Sequence, residues 1–153
     1  MRQQHPTTRE SARSEARALL DRFGAQQLTG RWNFGPTTGS ILEAIAATPE
    51  RVRCDLGRLE ADSPASWPAT STVYVRPPRP MRISVGPSQF YPPTPEDDEY
   101  EHPEWCECAA LMAFVRDEFR LDFLHRPDEI LPRPPMGLHG EDDSSSWFML
   151  WWD

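Results

Sequence analysis

The sequence contains no lysine, and its sixteen basic residues are all arginine. We attribute this to a GC-rich coding genome, which would also raise the content of proline and alanine. Cysteine is scarce, and three cysteines are an odd number where a disulfide scaffold normally needs a denser, even set. No run of roughly 18 or more apolar residues occurs, which excludes a transmembrane helix from the predicted elements. The chain also begins without the apolar stretch of a secretory signal, so we expect a cytoplasmic protein with reduced thiols.

The residues that are present favour a folded protein with an uneven distribution of charge. Six Trp, seven Phe and three Tyr in 153 residues are enough to build a core, although 17 Pro leave room for loose segments. Residues 1–90 hold twelve Arg against eight acidic residues, whereas residues 91–153 hold four Arg against sixteen. The net charge of −8 therefore does not exclude a nucleic-acid-binding surface on the basic first part.

Hydrophobic periodicity predicts three helices in the first 62 residues. The first covers 8–23, and the second covers 39–47 with Ser40 as its N-cap. The third covers 49–62, because Thr48 and Pro49 fit the N-cap and the first helical position.

Two short strands and one further helix are predicted beyond these. The strands, 72–76 and 81–85, alternate in polarity and are joined by a proline-rich turn. A proline-rich acidic linker follows at 87–104, and an amphipathic helix is predicted at 104–125. The chain then becomes irregular until it closes on the aromatic run WFMLWWD at 147–153. Such a run is expected to pack into a core, a dimer interface or a partner.

Residues 45–60, IAATPERVRCDLGRLE, resemble the recognition half of a DeoR-type helix-turn-helix. The family pattern is a small-residue turn, Ser/Thr-Pro-Glu, a hydrophobic residue, Arg, Asp-Leu and a later Leu-Glu. It is matched here by Thr48, Pro49, Glu50, Val52, Arg53, Asp55, Leu56, Leu59 and Glu60. The family often has a second Arg where this chain has Cys54, and its large sugar-phosphate-sensing domain has no counterpart here. The resemblance implies an α+β protein with a winged-helix-like domain at 1–90, followed by an acidic linker, helix and aromatic segment at 91–153.

The resemblance also implies a way of binding DNA. The helix at 49–62 would present arginines to the major groove, where Arg can contact guanine or clamp phosphates. The proline-rich turn would act as a wing that brings positive charge near the DNA backbone. The predicted nucleic-acid-binding residues are Thr48, Arg51, Arg53, Arg58, Arg76, Arg79 and Arg82. We therefore expect a non-catalytic regulatory protein that binds duplex DNA.

The acidic second part supports two alternatives. Residues 91–153 could form an anionic, aromatic-rich surface that binds a basic protein, as an immunity protein or antitoxin does. A structural protein of a virus or mobile element, and a homodimer formed through the aromatic run, are also left open. No membrane partner is expected.

Catalytic, cofactor and metal sites are not predicted. The sequence has no GxSxG motif and no glycine-rich phosphate loop, so an enzyme is not expected. His102, Cys106 and Cys108 lack the CxxC spacing and second ligand pair of a typical zinc site. The sequence alone leaves undecided whether these residues or Cys54 have a metal or redox role.

Overall fold

Helices and strands are mixed along the chain in the computed structural model, which describes residues 8–61, 69–84, 103–138 and 146–153. The described elements, in chain order, are α1 (Arg9–Arg22), α2 (Ala25–Leu28), α3 (Thr38–Ala47), β1 (Val52–Arg53), α4 (Leu56–Ala61), β2 (Thr72–Val75), α5 (Cys108–Asp117), β3 (Glu129–Pro132) and β4 (Phe148–Trp151). The protein is therefore α+β, as predicted, with a small antiparallel sheet. No helix in these four ranges is long and apolar enough to cross a membrane.

The first two predicted helices are confirmed. Helix α1 corresponds to 8–23, and the Thr8 side chain caps it by accepting a hydrogen bond from a backbone N–H of the first turn. Helix α3 corresponds to 39–47, but its N-cap is Thr37 rather than Ser40. The Thr37 hydroxyl accepts from the backbone N–H of Ser40 at 3.2 Å, so Ser40 lies inside the first turn. Both helices contribute to one core through Ala12, Ala16, Leu19, Ile41, Leu42, Ala44 and Ile45.

The helix predicted at 49–62 is wrong in its first half. Thr48 is not an N-cap but ends α3, and its hydroxyl donates to the Ala44 carbonyl at 3.1 Å. The chain then turns, and Val52 pairs in β1 with Val75 of β2. Only Leu56–Ala61 is helical.

The reason for this difference is a competition between helix periodicity and strand pairing. Val52 is β-branched and is fully buried in the strand, which is where such side chains pack well. Gly57 would cost about 1 kcal/mol relative to Ala inside a helix. Asp55 provides a new helix start, because its carboxylate accepts from the backbone N–H of Arg58 at 3.1 Å. The segment predicted as one helix from residue 49 onward is therefore divided between strand β1 and the short helix α4.

The predicted strand pair is confirmed only for its first strand. β2 forms within 72–76, but it pairs with β1 and β4, and residues 81–84 are not in a strand. The prolines at 77, 78 and 80 cannot donate to a ladder, which disfavours a hairpin at this point. No strand pair corresponding to the predicted wing is present in the described part of 72–84.

The sheet has the strand order β1-β2-β4-β3 and is antiparallel throughout. The aromatic run at 147–153 provides β4, a central strand between β2 and β3. Leu150 of β4 lies opposite Val73 of β2 and Ile130 of β3. Strands from both sides of residue 90 therefore form one sheet. The buried residues of the last segment are Trp147, Phe148, Met149, Leu150 and Trp152.

The helix predicted at 104–125 is shorter in the structure. Helix α5 covers Cys108–Asp117, and the chain leaves it through Arg120, which has a positive φ of 57°. Phe119 and Phe123 are buried, but they reach the core from the segment after the helix. β3 was missed, because this proline-rich segment has no clear alternation. Most of the linker predicted at 87–104 lies outside the described residues.

Candidate functional site

Two of the three arginines predicted to enter a DNA groove bind backbone oxygens of the protein itself. Arg53 is only 4% exposed, and its guanidinium donates to the carbonyl of Pro49. Arg51 donates to the Pro77 carbonyl at 2.8 Å. Both guanidiniums therefore act as structural groups: Arg51 joins the turn after α3 to the segment after β2, and Arg53 closes that turn on itself.

The remaining predicted arginines are more accessible. Arg58 on α4 is exposed. Arg79 forms a 2.8 Å ion pair with Glu107, and the guanidinium of Arg82 lies 4.7 Å from the centre of the Trp105 ring. Hydrogen bonds from the Arg82 backbone and the Arg79 side chain lower the pKa of Glu107 and keep it ionised.

The two predicted groups of arginines do come together in the fold. The pairing of β1 with β2 places Arg53 opposite Tyr74, and the backbone N–H of Arg76 donates to the Arg51 carbonyl at 2.7 Å. Thr48 lies in the same turn, where its carbonyl accepts from the backbone N–H of Arg51 at 2.9 Å. Thr48 thus stabilises this turn through its backbone carbonyl and bonds to the end of α3 through its hydroxyl.

Large apolar side chains are exposed elsewhere, around the loop at 31–37. Trp32 is 44% exposed and Phe34 is 54% exposed. The Phe34 carbonyl accepts hydrogen bonds from the backbone N–H groups of Leu124 and His125, at 2.8 and 3.2 Å. Leu124 is 60% exposed, and the His125 ring centre lies 4.4 Å from that of Phe34. We call Trp32, Phe34, Leu124 and His125 the Phe34 patch.

The loop below this patch is fixed to the core through Trp152. The buried Trp152 ring donates its Nε1–H to the His125 carbonyl at 2.8 Å. A Cβ on Gly35 would lie 3.1 Å from the Trp32 carbonyl and 3.2 Å from the Trp152 ring, so a larger residue would not fit without a shift. Asn33 adopts a positive φ of 50° and donates to the backbone carbonyl of Asp153.

A second group of hydrogen bonds fixes the loop to the start of α3. The Asp122 carboxylate accepts from the Thr37 backbone N–H at 2.7 Å, from the Thr37 hydroxyl at 2.8 Å and from the Ser40 hydroxyl at 2.7 Å. Arg31 donates to the carbonyls of Gly35 and Asp122, at 3.0 and 2.9 Å. Desolvation alone would raise the pKa of Asp122, but these hydrogen bonds and Arg31 outweigh it and lower that pKa. The ionised carboxylate therefore stabilises this arrangement.

Two exposed acidic residues lie beside the patch. The backbone N–H of Asp153 donates to the Asp128 carboxylate at 2.8 Å, and Asp153 also contacts Asn33. The patch thus combines exposed apolar rings with carboxylates on a backbone that is fixed by hydrogen bonds. Exposed apolar patches of this kind often mark interaction surfaces.

The described residues contain no group of three or more His, Cys, Asp or Glu side chains placed to hold a metal ion. His102, whose role the sequence left undecided, lies outside the described residues. A comparison of the chain with protein-family models, curated proteins and solved structures finds no match.

Sequence reasoning missed the Phe34 patch. In the structure, the segment between the predicted helices at 8–23 and 39–47 contains an isolated bridge between Arg31 and Thr37. The available signal was a tryptophan and a phenylalanine in a short loop rich in Gly and Thr. Leu124 gave no signal, because it was placed on a continuous helix that in fact ends at Asp117.

Proposed function

We propose that this protein is a non-catalytic binding module that recognises a basic protein through the Phe34 patch. The observation that carries the proposal is the exposure of Trp32 and Phe34 on the 31–37 loop and of Leu124 on the segment bonded to it, at 44%, 54% and 60%. Exposed rings on a rigid backbone lose little conformational entropy when a partner covers them. Tryptophan and other aromatic residues are also the side chains that most often dominate binding energy at interfaces.

The charge of the chain supports a basic partner. The net charge is −8, and residues 91–153 hold sixteen acidic residues against four Arg. Two acidic residues also lie at the patch loop, since the Asp153 backbone contacts Asn33 of the loop and the Asp128 carboxylate. A positively charged partner would be attracted over distance, which raises the association rate and makes it sensitive to salt.

Differential capture from the source cells tests this proposal. Lysate is passed over immobilised wild-type protein, over Phe34→Ala/Leu124→Ala and over the control Met136→Ala, which removes a 76% exposed apolar side chain elsewhere. We expect a protein of basic isoelectric point on the wild type and on the control, and at least tenfold less on the double variant, which is the loss of about 1.4 kcal/mol or more. Its capture should weaken between about 50 and 200 mM salt.

Three outcomes would contradict the proposal. Equal capture by all three proteins would place binding outside the patch, and capture of acidic partners alone would contradict the charge argument. Light scattering gives the third outcome: if the wild type is a dimer and the double variant a monomer, the patch is a homodimer interface. Circular dichroism of each variant confirms that the fold is retained.

DNA binding is a second candidate, in a form that differs from a helix in the major groove. It is favoured by the exposed guanidinium of Arg58 and by the joining of the two arginine groups through β1 and β2. In this mode Arg58, Arg79 and Arg82 would contact backbone phosphates, so binding would be independent of sequence and steeply dependent on salt.

Fluorescence anisotropy with random duplex DNA at about 50 and 200 mM salt distinguishes this candidate. We expect Arg58→Glu and Arg82→Glu to weaken such binding and Arg133→Glu, an exposed arginine on the other part of the chain, to change it little. If no DNA is bound at the lower salt concentration, this second candidate is wrong.

A further inference from the structure

Two of the three thiols lie side by side at the start of α5. Cys106 is half-buried, and Cys108 is buried as the first residue of the helix. The two cysteines are joined by hydrogen bonds from the Cys108 backbone and side chain to Cys106. A spacing of one residue lets two cysteines reach the Cα separation of about 4.4–6.8 Å that a disulfide needs.

The backbone around the pair is fixed from a second segment. The backbone N–H of Ser84 donates to the Cys106 sulfur at 3.2 Å, and the Glu107 N–H donates to the Arg82 carbonyl at 2.7 Å. The guanidinium of Arg126 lies 3.5 Å from the Cys108 sulfur. Both sulfurs therefore accept hydrogen bonds from groups that lie outside the pair.

The environment of Cys106 agrees with this geometry. Desolvation would raise the pKa of the Cys106 thiol, but the hydrogen bonds from Ser84 and Cys108 and the charge of Arg126 outweigh it and lower that pKa. Cys54 has the opposite environment. Burial, and then the charge of Asp55, raise the pKa of the Cys54 thiol far above its usual value. Cys54 therefore stays a protonated, poorly reactive thiol.

We propose that Cys106 and Cys108 form a thiol–disulfide exchange site that accepts a small, water-soluble disulfide. Cys106 is the attacking residue, because it is the more accessible thiol of the two. Cys108 is the resolving residue, because it is buried beside Cys106 and is reached by its neighbour more easily than by a substrate. This activity is independent of the proposed protein partner.

The exchange proceeds in two balanced steps. In the first, the Cys106 thiolate attacks one sulfur of the small disulfide, that bond breaks, and one small thiolate leaves with Cys106 held in a mixed disulfide. In the second, Cys108 gives its proton to water and its thiolate attacks the Cys106 sulfur. The mixed disulfide breaks and the second small thiolate leaves. After protonation, two protein thiols and one disulfide have become one protein disulfide and two small thiols.

Glutathione disulfide is a suitable probe for the reduced, full-length protein. After timed incubation, acid quenching and alkylation, trypsin separates the thiols, because cleavage after Arg gives peptides 54–58 and 83–116. We expect peptide 83–116 to become oxidised at least tenfold faster than peptide 54–58. The final product in the wild type should be a disulfide within 83–116, without bound glutathione.

Three variants assign the roles of the thiols. Cys108→Ser should accumulate glutathione on Cys106, because the resolving thiol is missing. Cys106→Ser should react at least tenfold more slowly than the wild type, and the matched control Cys54→Ser should react as the wild type does. Circular dichroism of each variant checks that the fold is retained. The comparison of the two peptide rates is made on the wild-type protein, so it does not depend on the folding of any variant.

The proposal is overturned if peptide 83–116 of the wild type reacts no faster than peptide 54–58. It is equally overturned if Cys106→Ser reacts as fast as the wild type, or if glutathione stays bound to Cys106 in the wild type. An intramolecular disulfide in the wild type, together with trapped glutathione in Cys108→Ser, supports it.

Discussion

Residues 48–61 and the Phe34 patch reverse the usual relation between residue type and burial. The first segment is rich in arginine, yet the guanidiniums of Arg51 and Arg53 bind backbone carbonyls of the same molecule. The patch is apolar, yet its rings face water while hydrogen bonds fix the backbone beneath them. The difference shows that charge does not make a residue a binding residue. A charged residue is available to bind a partner only where the fold does not already use its hydrogen-bonding groups.

The largest effect should come from the residue that supports the patch. Trp152→Ala should lower the free energy of unfolding by about 4 kcal/mol, because it leaves a cavity and removes the hydrogen bond to His125. Urea denaturation measures this. A loss below about 1 kcal/mol would mean that the patch loop does not depend on the core below it.

Arg53 provides the next test, from the other side of the comparison. Arg53→Ala should lower the free energy of unfolding by about 2 kcal/mol, because it removes a buried guanidinium that binds the Pro49 carbonyl. The matched control Arg58→Ala changes an exposed arginine five residues away and should stay within about 0.5 kcal/mol. Equal effects of the two substitutions would contradict the structural role of Arg53.

The role of Asp122 in fixing the loop below the patch can be tested through the pH dependence of stability. Its folded-state pKa is lowered, so its ionised form stabilises the native state above the unfolded pKa, and that contribution is lost as the pH falls through the folded pKa. Asp122→Asn should lower the free energy of unfolding by about 1 kcal/mol at neutral pH.

The difference between wild type and Asp122→Asn should then shrink on acidification to about pH 3, as followed by urea denaturation. Asp117→Asn, at an exposed carboxylate at the end of α5, is the control and should leave the wild-type pH dependence in place. A constant difference between wild type and Asp122→Asn at every pH would contradict a role for the ionised carboxylate.

The smallest effect on stability is expected at the exposed rings themselves. Trp32→Ser should change the free energy of unfolding by no more than about 0.5 kcal/mol, because the residue is 44% exposed. Thermal denaturation, with Trp152→Ala as the reference, measures this. A large loss for Trp32→Ser would show that the ring is part of the core and would weaken the case for a binding surface.

The local signals in the sequence were sufficient for α1 and α3. A polar cap, an apolar repeat of three and four residues and a following stop are all short-range, and they need no partner elsewhere in the chain. The same repeat failed at Val52, because the pairing of this residue with Val75 is a long-range contact. For that reason, periodicity alone could not predict where α3 ends, where β1 lies and where α4 begins.

The candidate site was less accessible to sequence reasoning than the fold. The sequence marked Cys106 and Cys108 but left their role open, and only the contacts with Ser84 and Arg126 distinguish them from Cys54. The exposure of Leu124 depends on α5 ending at Asp117, and residues 118–126 contain no Gly or Pro that would have signalled this end.

The sequence by itself determined the first two long helices and the presence of enough apolar residues to form a core. These follow from composition and from contacts within a few residues. The tertiary structure decided which segments pair in the sheet, which arginines are hydrogen-bonded within the protein and which aromatic rings are exposed to solvent. The physical reason is that each of these depends on hydrogen bonds between distant segments, as when Leu124 donates to the Phe34 carbonyl or Arg51 donates to the Pro77 carbonyl.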